Sequence, residues 1–224
     1  MRGGVPAGLR QRCRGGGDDE RESRYLTRPG RRRNCTGGLG SCGELSVERF
    51  GPALHEDFRR LHSDANDAGW CRCVAWWVPT WDGWGERTAQ ENAALREELC
   101  DAGEYDGLLA YEGRDPVGWS QVGPRDRLEK LVRQFELEPE PGAWAVSCFL
   151  VSPRHRGRGV AAALLEGAIA AARAEGADRL EGYPRTAAED AGELWNGPER
   201  LFLRAGFTNV RDMRTRRVYR LGLA

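Results

Sequence analysis

Lysine is almost missing from this chain. Lys130 is the only one, so nearly all the positive charge among the 34 Lys+Arg is arginine. That bias reflects coding composition rather than function. Net charge is missing as well, because 34 Asp+Glu balance the bases. The balance is uneven along the chain. Residues 1–43 hold ten Arg against four acids (Asp18, Asp19, Glu20, Glu22), so this stretch is +6 and the remainder −6. An acidic body argues against general nucleic-acid binding. No run of residues approaches the roughly 18–20 apolar positions of a membrane-spanning helix. The first residues contain no apolar segment of the kind a secretory signal needs. The expectation is a cytoplasmic protein without membrane or nucleic-acid partners. The seven cysteines, an odd count at irregular spacing, fit free thiols in a reducing compartment. Internal repeats are also absent.

Residues 1–43 contain eleven Gly and ten Arg and almost no large apolar side chains. Such a segment cannot bury enough surface to offset its ordering entropy. It is expected to be a disordered tail, or an extension outside the native protein. An Arg-rich nucleic-acid arm is the functional alternative. A single domain is expected from residue 44 to 224.

The rest is organised around one stretch. Ala143-Trp144-Ala145-Val146-Ser147-Cys148-Phe149-Leu150 is apolar, β-prone and uncharged, and predicts a buried strand. Val160 to Glu175 is rich in Ala and Leu, is closed by Gly176, and predicts a helix with a glycine C-cap. Between them, Arg154, Arg156 and Arg158 alternate with other residues around Gly157 and Gly159. Glycine lets the backbone turn tightly and approach a ligand. A loop that opens a helix points free N–H groups and the positive end of the helix dipole at one place. Glycines, arginines and a helix start together predict an anion site. A dinucleotide fingerprint is excluded, because it lacks a third glycine and a suitably placed acid. No Gly-Lys-Ser/Thr follows, which excludes a P-loop.

The remaining elements alternate around that unit. Residues 44–50 predict a first strand, and Pro52 a helix start with Leu54, Phe58 and Leu61 on one face. His55 and His62 on this helix read as surface or edge residues. Residues 86–102 predict a polar helix, and 106–112 and 116–123 a hairpin turning at Gly113-Arg114-Asp115. Residues 125–135 predict a short helix, 179–184 a strand, 186–192 a loop and 198–205 a helix capped by Gly206. Residues 207–210 and 215–221 predict a closing strand pair. The fold class is mixed α/β, with a mainly antiparallel sheet flanked by helices.

Arg154-x-x-Gly157-x-Gly159, between a strand and an Ala/Leu-rich helix, resembles the pyrophosphate loop of the GNAT acetyltransferases. Leu201-Phe202-Leu203-Arg204-Ala205-Gly206-Phe207 resembles that family's late helix and Gly-Phe turn. Leu108 to Tyr111 and Pro116 to Trp119 are similar to its paired second and third strands. The resemblance runs over about 44–223. It implies acetyl-CoA as co-substrate, with no metal. Its pantetheine would lie along Cys148, Phe149, Leu150 and Val151, bonded to the backbone of Phe149 and Val151. Its pyrophosphate would lie on Arg154, Arg156, Gly157, Arg158, Gly159, Val160 and Ala161. An N–H near Cys148 and Phe149 would stabilise the oxyanion.

The sequence departs from the family in two absences. Residues 143–151 carry no acid, and Phe202 stands where many members have a tyrosine. For proton transfer the candidates are then Glu181 and Tyr183, on one face of the strand bordering the acyl site. Cys148 is a weaker candidate, as an acyl-accepting nucleophile. Five of the eight tryptophans fall between Trp70 and Trp84. Trp76 and Trp77 are candidates for an acceptor-binding wall, the alternative being a small aromatic core. Cys71-x-Cys73 lacks a second Cys or His pair nearby and so makes a poor zinc site. The resemblance implies an N-acetyltransferase, monomeric or homodimeric, that acts on a primary amine of a small molecule or a protein N-terminus. The alternative is a non-catalytic acyl-CoA-binding sensor.

Overall fold

The computed structural model describes residues 44–64, 69–185, 191–213 and 216–223. The expected tail at 1–43 and most of the expected loop at 186–192 lie outside these residues. Seven strands form one sheet: β1 (Leu45–Arg49), β2 (Gly107–Glu112), β3 (Asp115–Pro124), β4 (Ala143–Val151), β5 (Arg179–Gly182), β6 (Thr208–Asp212) and β7 (Arg217–Gly222). Their order is β1-β2-β3-β4-β5-β7-β6. Only β4 and β5 run parallel; the other neighbours are antiparallel. The parallel pair needs a crossover, which α4 (Val160–Ala174) supplies.

α4 buries one stripe, Val160, Leu164, Leu165, Ala168 and Ala172, at helical spacing. The stripe packs on the β1–β4 face with Leu108, Val117, Val146 and Phe149. Gly118 of β3 makes this approach possible, because a Cβ there would come within 2.5 Å of Val160 Cγ1. Gly118 pairs with Val151, the last residue of β4. The start of α4 is therefore pinned against the sheet beside the end of the key strand. The opposite face carries α1 (His55–Asp64) and a second apolar cluster that includes Phe58, Leu61, Tyr105, Trp119 and Cys148.

Several boundaries differ from expectation for local reasons. Pro52 opens a single 3-10 turn, Pro52–Leu54, and α1 proper begins at His55. α2 (Ala89–Asp101) begins three residues after Glu86 because Thr88 caps it. Thr88 Oγ1 accepts from the Glu91 amide at 3.1 Å, and the Glu91 carboxylate accepts from the Thr88 amide at 2.7 Å. The expected helix at 125–135 divides into a 3-10 turn, Arg125–Arg127, and α3 (Glu129–Gln134). α5 (Glu199–Arg204) follows Pro198. The expectation for His62 is corrected. It is fully buried, stacked on Phe58 at 3.8 Å between ring centroids. His55 is half-buried against Phe50.

Candidate active site

The site begins where β4 and β5 part. Their pairing covers Ala143↔Arg179 to Val146↔Gly182 and stops. Beyond it β4 runs five more residues, from Ser147 to Val151, with only β3 as a strand partner among the described residues. A bulge interrupts the β3 pairing in the same place. Ser147 faces Gln121 and Leu150 faces Trp119, so Cys148 and Phe149 together oppose Ser120. Cys148 takes φ 57°, a left-handed conformation that is uncommon for a residue with a side chain. One extra residue bends the strand and re-aims its groups. The end of the β5 pairing leaves the β5-side edge of β4 without a strand partner from Ser147 on, and the bulge on the β3 side bends the strand there.

The loop after β4 continues that edge. Pro153–His155 make one 3-10 turn, then Gly157 (φ 74°) and Gly159 (φ 90°) take left-handed conformations that side chains disfavour. Space is open where a Cβ would stand at either glycine. The Gly159 carbonyl accepts from the amides of Ala162 and Ala163, both at 3.0 Å. The earlier first-turn amides, Val160 and Ala161, have no acceptor within the helix. The arginines are not equivalent. Arg158 bonds Glu112 at 2.7 Å, and His155 lies 3.4 Å from the same carboxylate. Arg156 reaches the Val151 carbonyl at 3.4 Å. Arg154 is exposed and makes no ion pair among the described residues.

A 3-10 segment, Ala191–Asn196, packs on β4. It brings in Asn196, which the sequence reading missed. Asn196 is 1% exposed, and neither its amide nitrogen nor its oxygen has a partner among the described residues. The next residue, Gly197, sits where a Cβ would lie 3.2 Å from the Phe149 ring. A buried, unpaired amide beside an open strand edge is costly unless something bonds it. No local pattern in the sequence marks Asn196 for such a position.

Glu181 and Tyr183 lie at the base of the opening. Glu181 is 0% exposed. Its carboxylate accepts from Arg125 at 3.2 Å, Tyr183 Oη at 2.9 Å, Arg179 at 3.0 Å and Arg220 at 2.9 Å. Arg179 also forks onto Glu140. Burial pushes the Glu181 pKa up; the Tyr183 and Arg179 bonds, with Arg125, outweigh that and hold it below the usual range. Burial, then Glu181 itself, pushes the Tyr183 phenol well up, so it stays protonated and donating.

The tryptophan segment divides into two parts. Trp76 is 1% exposed and packs with Leu131, Phe135 and Tyr183. A ring so enclosed has no exposed face in this structure, which favours the aromatic-core alternative for Trp76. Trp77 is half-buried between two apolar clusters. Trp81, at 37% exposure, is the more open ring, with Lys130 Nζ 3.4 Å from its centroid. Burial, then Arg133, lowers the Lys130 pKa to about 8. Pro79, Trp81, Lys130, Arg133 and Arg216 line a hollow of about 580 Å³. Cys71 and Cys73 meet Cys148 and His62 on the α1 face. Among the described residues, no group of three or more His, Cys, Asp or Glu is arranged to hold a metal ion.

A mixed seven-stranded sheet with one parallel pair that parts after four residues, followed by a Gly-rich turn and a crossover helix, defines the fold. The sequence profile of the Acetyltransferase (GNAT) family matches residues 70–207, and the chain belongs to that family. Among solved structures it resembles a GNAT-family protein of Desulfovibrio desulfuricans at 20% identity and TM-score 0.51, over 81% of this chain and 100% of that one. It also resembles the GNAT domain of PAT from S. lividans at 20% identity and TM-score 0.51, over 79% and 89%. An N-acetyltransferase of Staphylococcus aureus Mu50 aligns at 17% identity and TM-score 0.50, over 81% and 99%. No curated protein matches the chain.

Proposed function

We propose that the protein transfers an acetyl group from acetyl-CoA to a primary amine. The observation that carries this reading is the open edge of β4 between its bulge and the two left-handed glycines. An amide-bearing chain such as pantetheine can add to that edge as a strand. Asn196 offers it a further donor and acceptor. The pyrophosphate takes the amides at the start of α4 and the exposed Arg154. The thioester then falls at Cys148 and Phe149, where the bulge turns the backbone toward the opposite face.

Proton handling follows from the charges. Glu181 is held as a carboxylate by three arginines and a tyrosine, so it competes poorly for an ammonium proton. We assign Glu181 and Tyr183 to anchoring β5 at the last residues where it still pairs with β4, and the amine proton to water. The acceptor enters over residues 70–84. The cationic lining of the hollow at Trp81 favours an amine that also carries an anionic group.

Acetyl-CoA and a panel of amines, with and without a carboxylate, should be assayed for release of free CoA thiol. Release that depends on the amine, and is faster for the anionic members, is expected. Tight acetyl-CoA binding with no amine acetylated anywhere in the panel would favour the sensor reading instead.

A further inference from the structure

The hollow beside Trp81 holds a buried charge without a counter-charge. Among the described residues that line it, Lys130, Arg133 and Arg216 are cationic and none is acidic. The excess is local, because residues 44–224 as a whole carry −6.

Lys130 lies deepest. α3 turns it inward together with Leu131, and it is only 4% exposed. Its Nζ stands 3.4 Å from the centroid of the Trp81 ring, 5.6 Å from that of Trp84 and 5.9 Å from that of Trp76. Ring faces attract a cation but do not replace its hydrogen bonds. The Thr80 carbonyl, at 3.4 Å, is the oxygen it reaches. An ammonium has three donors, so two are left without an oxygen among the described residues. Lys130 also makes no ion pair among them. Burial, then Arg133, lowers its pKa to about 8, and no acid offsets them. A buried ammonium in this condition is costly. An anion in the hollow removes that cost.

The walls are already in place. Trp81 Nε1 donates to Gln134 Oε1 at 2.6 Å, and Arg133 Nη2 donates to the Pro79 carbonyl at 2.6 Å. Both bonds tie residues 79–81 to α3. Arg133 is exposed at the rim and makes no ion pair among the described residues, so its guanidinium keeps donors to spare. A volume of about 580 Å³ suits a small molecule rather than a bare ion.

Trp195 joins the hollow to the proposed transfer site. Its ring lies 5.4 Å from Trp76 and 6.3 Å from Trp81, between centroids. The next residue, Asn196, is buried where the same 3-10 segment packs on β4. Adjacent residues of one segment therefore border the hollow and the open edge of β4.

We propose that the acceptor is a small amino carboxylate, whose carboxylate sits on Lys130 and Arg133 while its amine points to the thioester. The inference rests on the proposed acetyl-CoA reading, and it selects the small-molecule acceptor over a protein N-terminus. In a protein the α-carboxylate next to the amine has become an amide and cannot pair with the two cations. A polyamine is repelled by the same lining. Lys130 and Arg133 bind and orient; the amine then forms the C–N bond, CoA leaves as the thiolate and the proton goes to water. Unlike Glu181, Lys130 has no buried counter-charge to strand when it is replaced.

Amino acids and their carboxamides should be compared as matched pairs for amine-dependent release of free CoA thiol by the full chain. kcat/KM should favour the carboxylate member about tenfold or more. Lys130→Met should bring that ratio near one by raising KM for the carboxylate, with kcat little changed. Arg133→Gln, at an exposed position, should lower the ratio about threefold, and it decides if Lys130→Met fails to fold. Equal kcat/KM for the two members, or a preference that survives the substitutions, would overturn the carboxylate site and leave the transferase reading standing. If acetyl-CoA binds and no amine is acetylated, the transferase reading fails instead. Calorimetric titration with the amino acids alone then decides the site. Binding that weakens in Arg133→Gln supports it; no binding, or equal binding in the variant, overturns it.

Discussion

The two ends of the proposed site, for cofactor and for acceptor, are built differently. The cofactor end is local: one strand, one turn and one helix, contiguous from Ala143 to Ala174, with its shape carried by two glycines and a helix start. The acceptor end is assembled from far-apart pieces. Glu181 gathers arginines from positions 125, 179 and 220, and the thiol cluster joins His62, Cys71, Cys73 and Cys148. On the proposed reading, the first kind of site would bind chiefly through backbone groups and tolerate changes to its side chains. The second holds its geometry through buried polar contacts, each of which is costly to remove.

If that contrast is right, substitutions at the acceptor end should act first on stability. Trp76→Ala should have the largest effect. It removes a fully enclosed ring, a change that typically costs about 3–5 kcal/mol, and should lower the melting temperature clearly in calorimetry. Unchanged stability with a raised acceptor KM would instead restore Trp76 to the acceptor wall.

A smaller effect should appear with pH. His62 has its folded pKa depressed to about 4, against about 6.5 when unfolded. The unfolded chain therefore binds the proton more readily. The stability this gives is fully present above about pH 6.5 and is lost as pH falls toward 4, at roughly 1.4 kcal/mol per pH unit. In denaturant titrations, His62→Leu should flatten that part of the pH profile. A wild-type profile with the same slope as the variant would show that His62 is accessible to protons in the folded state.

How much could be read from the sequence follows the same division. The strand at 143–151, the helix after it and the hairpin at 107–124 were legible because periodicity and glycine placement are local signals. The family resemblance was legible for the same reason, since Arg154, Gly157 and Gly159 stand within six residues. Burial of His62 and Trp76 was not. A histidine one turn past Phe58 looks amphipathic until a distant cysteine is placed over it. The ring of arginines around Glu181 draws on three separate elements. Asn196 carries no local mark of the burial that leaves its amide unpaired.

The central claim is that the turn between β4 and α4 binds acetyl-CoA through its backbone. Gly159→Val tests it most directly. The substitution meets open space but forces a β-branched side chain to φ near 90°, at a cost on the order of 1–3 kcal/mol if the loop keeps its shape. Calorimetric titration with acetyl-CoA should show affinity reduced about tenfold or more, with melting temperature close to wild type. Unchanged affinity in a folded Gly159→Val protein would contradict the account.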